Sequence, residues 1–417
     1  MQEEQTEVLV VGAGPVGLLA AILASEAGLG VRIIDQEART TARSYACALH
    51  PRTLELLDEV GLAEPMLHQG RRVETVAFYD HAARRAEVNL SKLGGGFPFL
   101  LILPQSAFEE VLEQRLHKAG ISVDWQHRFA GVQEHADGVI ADVEELGGTG
   151  TGYIVPHWET VVKRRIPLRA RYVIGADGHG SLVRHRLGIA STRVAGPHFF
   201  AAYEFEADAP PEPEVRVVLD DSTTNVLWPL AANKCRWTFQ LVKTAGGIEF
   251  PEKDRRPVRF AQPQVDEELR EYVELVVRQR ASWFSAGVKR ITWCTDVAFE
   301  HRVANHFGRG HGWLAGDAAH QTGPVGVQSM NVGLAEAAAL VGAIKKTLRE
   351  HALTAPLEAY DQERQEEWRR LLGLAGGLKT RAQTDPWVAE RRERMLPCLP
   401  AGAADLGRLA TQLQLDV

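Results

Sequence analysis

Three stretches of this chain set glycines beside an acid at the end of an apolar run, a grouping that cradles phosphates and sugars. The first, VLVVGAGPVGLLAA, carries Gly12, Gly14 and Gly17 at GxGxxG spacing. At that spacing the first glycine makes a tight turn, the second lets backbone approach a pyrophosphate, and the third lets a helix pack close to its strand. The helix opened by Pro15 and Val16 then offers amides and the positive end of its dipole to phosphate. Asp35, with Gln36 beside it, stands where an acid binds a ribose diol. The second stretch, YVIGADGHGSLVRHRLGI, runs into Asp177 and Gly178 and then opens a helix with Ser181 and Arg184. The third, GWLAGDAAHQTGPVGVQSMNVG, repeats the design. Its Gly316 and Asp317 precede a loop of Pro324, Gly326 and Val327 and a helix that starts with Gln328, Ser329, Met330 and Asn331. A dinucleotide is the ligand class implied, and the first motif alone leaves NAD and FAD both open.

A lone GxGxxG is weak, so the elements around it matter. Residues 7–11 read as a buried strand, 15–27 as a helix and 31–35 as a second strand, a βαβ opening. Helical periodicity returns at PRTLELLDE and at residues 106–119. The turn GGTGTG, residues 147–152, is followed by the strand-like, Pro156-interrupted YIVPHWETVV instead of a helix, so a hairpin turn is expected there. From residue 191 to about 300 the pattern becomes strand-rich and aromatic. Helices follow at 334–350 and 357–372, the latter with Leu357, Tyr360, Trp368 and Leu371 on one face.

The remaining bounds are set by composition. A chain of 417 residues with 45% hydrophobic content buries a large core in two or three domains. A net charge of −7 with interspersed signs excludes a nucleic-acid footprint. No apolar run is long and clean enough for a membrane span. The acidic start MQEEQTE has no leader pattern, so a cytoplasmic location is expected. Cys47, Cys235, Cys294 and Cys398 lie far apart without CxxC or zinc spacing, which leaves no metal site to expect and argues against dithiol flavin reductases.

Taken together, GxGxxG, DGxxSxVR and GDAAHxxxPxG, in that order, resemble the flavoprotein aromatic hydroxylases, the single-component monooxygenases that include para-hydroxybenzoate hydroxylase. The resemblance spans nearly the whole chain. It implies an α/β plus β fold: a Rossmann-like, glutathione-reductase-type FAD domain at residues 1–190 and 291–355, and a mostly antiparallel substrate sheet at 76–98 and 191–290. A C-terminal helical segment at 356–417, without a thioredoxin-like domain, completes the expected organisation. The ligand is then one extended, non-covalent FAD, with NAD(P)H as a transient cosubstrate. By resemblance Gly12, Gly14, Gly17 and Asp35 hold its ADP half, Gln105 lies near the diphosphate and adenosine, and Asp177 serves FAD, with the nicotinamide cofactor as a second candidate. Asp317 binds the ribityl chain, and the loop from Pro324 to Asn331 lies against the isoalloxazine, with Pro324 among the reacting groups. The implied reaction reduces FAD, captures O2 as the flavin C4a-hydroperoxide and hydroxylates a phenolic ring. A homodimer is compatible with the family.

Several positions depart from the family pattern. Tyr45 stands where many relatives carry an arginine on the diphosphate, and Arg43 is the candidate substitute. Val327 and Ser329 replace frequent glycines, which makes the loop backbone less permissive. Cys47 reads as a small apolar filler with no electropositive neighbour, His320 as a packed histidine, and Glu336 as a bystander to the flavin. The strand NVLWPLA, with Trp228, Pro229 and Leu230, lacks the arginine that clamps acidic phenols in relatives. Phe199, Phe200, Tyr203 and Trp237 add apolar surface, so a bulky, flat, neutral, polycyclic aromatic is the expected substrate. His198 is the candidate base for its hydroxyl. Two alternatives stay open: a halogenase or isoprenoid reductase of the same fold, although the halogenase signature WxWxIP is absent, and a flavin-binding sensor or assembly subunit without turnover.

Overall fold

The computed structural model describes residues 4–39, 46–151, 157–244, 247–248, 265–350 and 353–417. The strand Glu4–Val11 is central to a parallel sheet, between His157–Gly175 on one side and Val31–Ile34 on the other. Gly312–Leu314 extends the sheet beyond His157–Gly175, and Val123–Asp124 extends it beyond Val31–Ile34, both in parallel. Interior parallel strands are covered on both faces, which is why VLVV is an unbroken apolar run with Val8, Leu9 and Val10 fully buried. The helix Pro15–Glu26 is buried almost all round because it lies against the sheet and against the helices Gln105–Lys118 and Gln328–Arg349.

Register decides where the three acidic turns emerge. Val11 pairs with Gly175, and Gly175 pairs with Leu314, so the three strands end side by side. Turns more than a hundred residues apart in the chain therefore leave one edge of one sheet, where ligands of open α/β sheets bind.

An antiparallel ribbon, His127–His135 with Gly138–Thr151, is attached to the outer length of His157–Gly175. Three glycines of GGTGTG are in this ribbon: Gly147, Gly148 and Gly150 pair with Val161, Thr160 and Trp158. The turn expected over 147–152 is thus replaced by strand at 147–151, and residues 152–156 lie outside the described residues. Cross-strand hydrogen bonding by the facing segment overrides the turn preference of the glycines.

A second, eight-stranded sheet runs His320–Gln321, Arg290–Ala304, Ser191–Glu206, Lys234–Leu241, Thr224–Pro229, Glu214–Leu219, Thr75–Tyr79, Arg84–Asn89. All its pairings are antiparallel except Glu214–Leu219 with Thr75–Tyr79. One face, carrying Phe200, Val217, Val226 and Trp228, joins the main core. The opposite face, carrying Ala201, Tyr203, Phe205, Trp237 and Phe239, packs with Val273 and Val277 of the helix Val265–Arg280 as a separate core. The architecture is thus α/β plus β, with helices Ala355–Leu371, Pro386–Met395 and Ala403–Gln412 at the C-terminal end. In the first of these, Leu357, Tyr360, Trp368 and Leu371 are the buried face. Among the described residues, no helix is long and apolar enough to cross a membrane.

Candidate active site

The first turn separates packed glycines from an open one. A Cβ on Gly12 would lie 2.3 Å from the Ala176 carbonyl oxygen, and one on Gly17 would lie 1.9 Å from the Gly12 oxygen. A Cβ on Gly14 would meet nothing within 4 Å. The bare position is the one where a pyrophosphate needs close backbone, and Pro15 starts the helix directly behind it. Asp35 braces the turn: its carboxylate accepts the amides of Ala13 at 2.6 Å and Glu37 at 2.8 Å. Gln36 is exposed beside it. These residues fit an ADP moiety.

The second turn is tied to the third. Asp177 accepts from the Ser181 hydroxyl at 2.5 Å and the Val183 amide at 3.1 Å, and burial pushes its carboxyl pKa up against those bonds. Gly178 has φ +78°, a left-handed turn that glycine adopts freely. Ser181 caps the helix Leu182–Arg186 by accepting the Arg184 amide. The buried Arg184 guanidinium donates to the Ala318 carbonyl at 2.6 Å and the His179 carbonyl at 3.1 Å. Arg184 thereby holds the DGxxSxVR turn onto the GDAAH turn.

In the third turn Asp317 is exposed and accepts the Ser329 hydroxyl at 2.6 Å. Behind it, Glu336 and His320 are fully buried side chains. Glu336 accepts the Gly316 amide at 2.8 Å, His320 Nε2 at 2.8 Å and the Trp368 indole N–H at 2.7 Å. The expectation that Glu336 is a bystander is corrected: it organises the backbone of the turn that carries Asp317. His320 stacks on Trp368 with ring centroids 3.8 Å apart, the packed histidine that was expected.

The loop after Pro324 is held from behind. Val327 has φ +52° and ψ +31°, a conformation costly for a β-branched side chain. Its carbonyl accepts from Asn331 Nδ2 at 2.8 Å, and the Gly326 carbonyl accepts from His50 Nε2 at 2.8 Å. A Cβ on Gly326 would lie 2.1 Å from the Pro397 oxygen. The Asn331 side chain also bonds the His50 amide, Thr53 and Ala48, while the Gln328 amide group donates to the Leu396 and Leu399 carbonyls. Both side chains are engaged by protein, which leaves backbone as what Gln328 and Asn331 offer a ligand. Among the described residues no side chain caps the helix Gln328–Arg349, which leaves its first amides suited to a carbonyl that gains negative charge. Gln105 anchors Ala46 through a side-chain and a main-chain hydrogen bond, both at 3.1 Å. Arg43 and Tyr45 lie outside the described residues.

The four aromatic residues expected to line one pocket are divided between two faces. Phe200 and Trp228 are on the face toward the nucleotide-binding sheet; Tyr203 and Trp237 are on the opposite one, packed under the helix Val265–Arg280. Strand alternation sends residues of opposite parity to opposite faces, and that grouping ignored it. His198 forms an edge-to-face pair with His301, ring centroids 5.1 Å apart. A Cβ on Gly323, next to Pro324, would lie 3.6 Å from His301 Nε2 and 3.7 Å from Phe200 Cε2. Burial lowers the pKa of both histidines, that of His301 to about 4. His301 belongs to no motif in the sequence; only the pairing of its strand with Ser191–Glu206 brings it to His198.

An arginine does stand on this face. Arg236, 2% exposed, is paired directly across the strands with Glu204 and donates to its carboxylate from Nε at 2.9 Å. Its guanidinium lies over the Trp293 ring, 5.3 Å from the centroid, close enough for a cation–π contact. It also neighbours Cys47, whose thiol burial pushes up to about 11 while Arg236 opposes that shift. The view of Cys47 as free of electropositive neighbours is therefore corrected, although its raised pKa keeps it an inert thiol. The alternation in KCRWTFQL, with Cys235 and Trp237 on the far face, was the signal for Arg236.

The fold and the three converging turns define a protein that binds an extended dinucleotide. A family model described as an FAD binding domain matches residues 5–374, and the chain belongs to that family; FAD is its cofactor. It is 29% identical over 416 residues to the 6-methylpretetramide 4-monooxygenase of Streptomyces rimosus, covering 96% of this chain and 65% of that protein. The chain thus spans slightly less than two thirds of that relative's length. The fold is that of p-nitrophenol 4-monooxygenase from Pseudomonas putida DLL-E4, with a TM-score of 0.73, 21% identity and coverage of 99% of this chain and 94% of that one. Aklavinone-11 hydroxylase, solved with FAD and aklavinone, aligns with a TM-score of 0.70 and 21% identity over 97% of this chain and 73% of that one.

Proposed function

We propose that this chain is the flavin- and substrate-binding body of a monooxygenase that uses NAD(P)H and O2 to hydroxylate a flat, largely neutral, polycyclic phenol. The observation that carries this reading is the apolar sheet face of Phe200, Trp228 and Phe299, set opposite the Pro324 loop, with its buried Arg236 already paired with Glu204. When bound, FAD supplies the chemistry, activating dioxygen for delivery of one oxygen atom to an electron-rich ring.

Residues 1–190 and 305–355 form the flavin-binding part in this reading, and 76–98 with 191–304 the substrate part; the expected boundary at 291 moves because the strand Arg290–Ala304 belongs to the second sheet. Gly14, Val16 and the helix behind them receive the pyrophosphate, Asp35 the ribose and Asp317 the ribityl chain. The amides from Val327 to Met330 stabilise charge on the flavin carbonyl. The sheet face excludes water, which strengthens every dipole inside. His198, kept neutral by burial and packed edge-to-face on His301, accepts the proton of the substrate hydroxyl. The S. rimosus relative, named for a polycyclic substrate, supports the substrate class.

The test is a screen of phenols for stimulated NAD(P)H oxidation with product mass. Oxidation stimulated by a polycyclic phenol, with one oxygen atom added, is the expected result. Bound FAD without any stimulated turnover would favour a non-catalytic flavoprotein, and a halide requirement would favour a halogenase.

A further inference from the structure

We propose that His320 is a buried imidazolium that, with Glu336, acts as a positioning pair: through Ser329 it commits Asp317 to one orientation toward the ribityl chain. The proposal rests on the FAD reading above and follows from counting protons along one chain of hydrogen bonds.

Glu336 receives three hydrogen bonds, from the Gly316 amide, the Trp368 indole and His320 Nε2. Peptide and indole N–H groups only donate, so the carboxylate is an acceptor throughout, as an ionised carboxylate must be. At the other side of the ring, His320 Nδ1 lies 3.2 Å from Ser329 Oγ. Ser329 has a single hydroxyl proton, and its oxygen is 2.6 Å from Asp317 Oδ1. An ionised Asp317 has no proton to give, so the serine proton goes to Asp317 and the serine oxygen is left as an acceptor toward Nδ1. Both ring nitrogens then donate. A ring that donates from both nitrogens is the charged form.

The surroundings suit this charge. Burying an imidazolium is costly unless it is paired and hydrogen-bonded, and here a carboxylate lies directly on one side and a second is reached through one hydroxyl. The ring also packs against the stacked Trp368 and against Phe307, and Phe307 in turn meets the buried Tyr360, whose hydroxyl donates to the Leu314 carbonyl. The nearby cations are occupied: Arg184 donates to the Ala318 and His179 carbonyls, and Arg302 pairs with Glu300. With Asp317 Oδ1 taken by Ser329, Oδ2 of this exposed side chain is the oxygen presented to a ribityl hydroxyl.

The holoprotein labelled with 15N-histidine tests the charge directly. Both His320 ring nitrogens are expected to carry protons at neutral pH in the wild type, and to lose one in Glu336→Gln. A bare lone pair on either nitrogen in the wild type overturns the proposal. Independently, Ser329→Ala should weaken FAD binding about tenfold or more, with Ser329→Thr restoring it and the apo-protein melting temperature unchanged. An FAD affinity for Ser329→Ala within about twofold of wild type would reject the positioning role, since a bond to a charged group is worth more than that. Wild-type protein that binds no FAD is a different failure, one of the flavin reading itself.

Discussion

Gly333 rests on Gly316: a Cβ added to Gly333 would lie 2.8 Å from Gly316 Cα and 2.9 Å from Val16 Cγ2. One point of contact therefore joins the helix after the third turn, the third turn itself and the helix after the first. The first and third glycine-rich turns are held in register by this junction, because neither can shift without displacing the other.

Gly333→Ala should destabilise the apo-protein by about 1–3 kcal/mol, the scale of overpacking against atoms that cannot rotate away. The obstructing atoms include backbone, so the helix Gln328–Arg349 must move to admit the methyl. Urea denaturation reads the loss, and FAD titration should show weaker binding. Stability equal to wild type would mean that the helix shifts freely.

Asp317 and Glu336 should separate by readout. Asp317→Ala is expected to weaken FAD binding by roughly 1.5–3 kcal/mol while leaving the apo-protein fold intact, as for one lost charge-assisted hydrogen bond at an exposed site. Glu336→Ala leaves the Gly316 amide, the Trp368 indole and His320 unpaired inside the core. It should cost about 3–5 kcal/mol of folding stability, as when one partner of a buried pair is removed. Thermal denaturation without FAD distinguishes the two.

Acid should loosen the flavin loop through His50. Burial lowers its pKa from 6.5 to about 4, with the bond to the Gly326 carbonyl opposing that shift. The unfolded chain then binds the extra proton between those values and the native one does not. The contribution to stability is full above about 6.5 and is lost as pH falls toward about 4, on the order of 3 kcal/mol in all. Wild type compared with His50→Asn by urea denaturation across that window should show the steeper acid loss in wild type. Parallel curves would assign the acid sensitivity elsewhere.

Substrate choice should follow the neutralised arginine. With Arg236 paired to Glu204, a carboxylate brought to this face meets an arginine whose charge is already matched. A polycyclic neutral phenol should stimulate NAD(P)H oxidation far more than para-hydroxybenzoate does. Strong, coupled hydroxylation of the small acid would show that this face carries a usable positive charge.

The glycine spacings, the acids that follow them and the apolar runs around them are local signals, and they carried the family, the cofactor and both sheets' strand content into view. Asp35, Asp177 and Asp317 were recognisable because each ends an apolar run just before a turn. Glu336 also left a trace, as a lone acid inside the apolar stretch VGLAEAAALVGAI, and Arg236 left one in the alternation of KCRWTFQL.

What those traces meant was decided only in three dimensions. A buried acid is defined by its donors, and those of Glu336 come from a strand end, a turn and a helix 32 residues further along the chain. The orientation of Phe200 against Tyr203, and the meeting of His198 with His301, depend on strand parity and on register shifts between Ala195 and His198 that no periodicity announces. The sequence by itself determined the chemistry of each turn, because turn geometry is a property of a few adjacent residues. The tertiary structure decided which side chains share a site, because that depends on strand order and register across the whole chain.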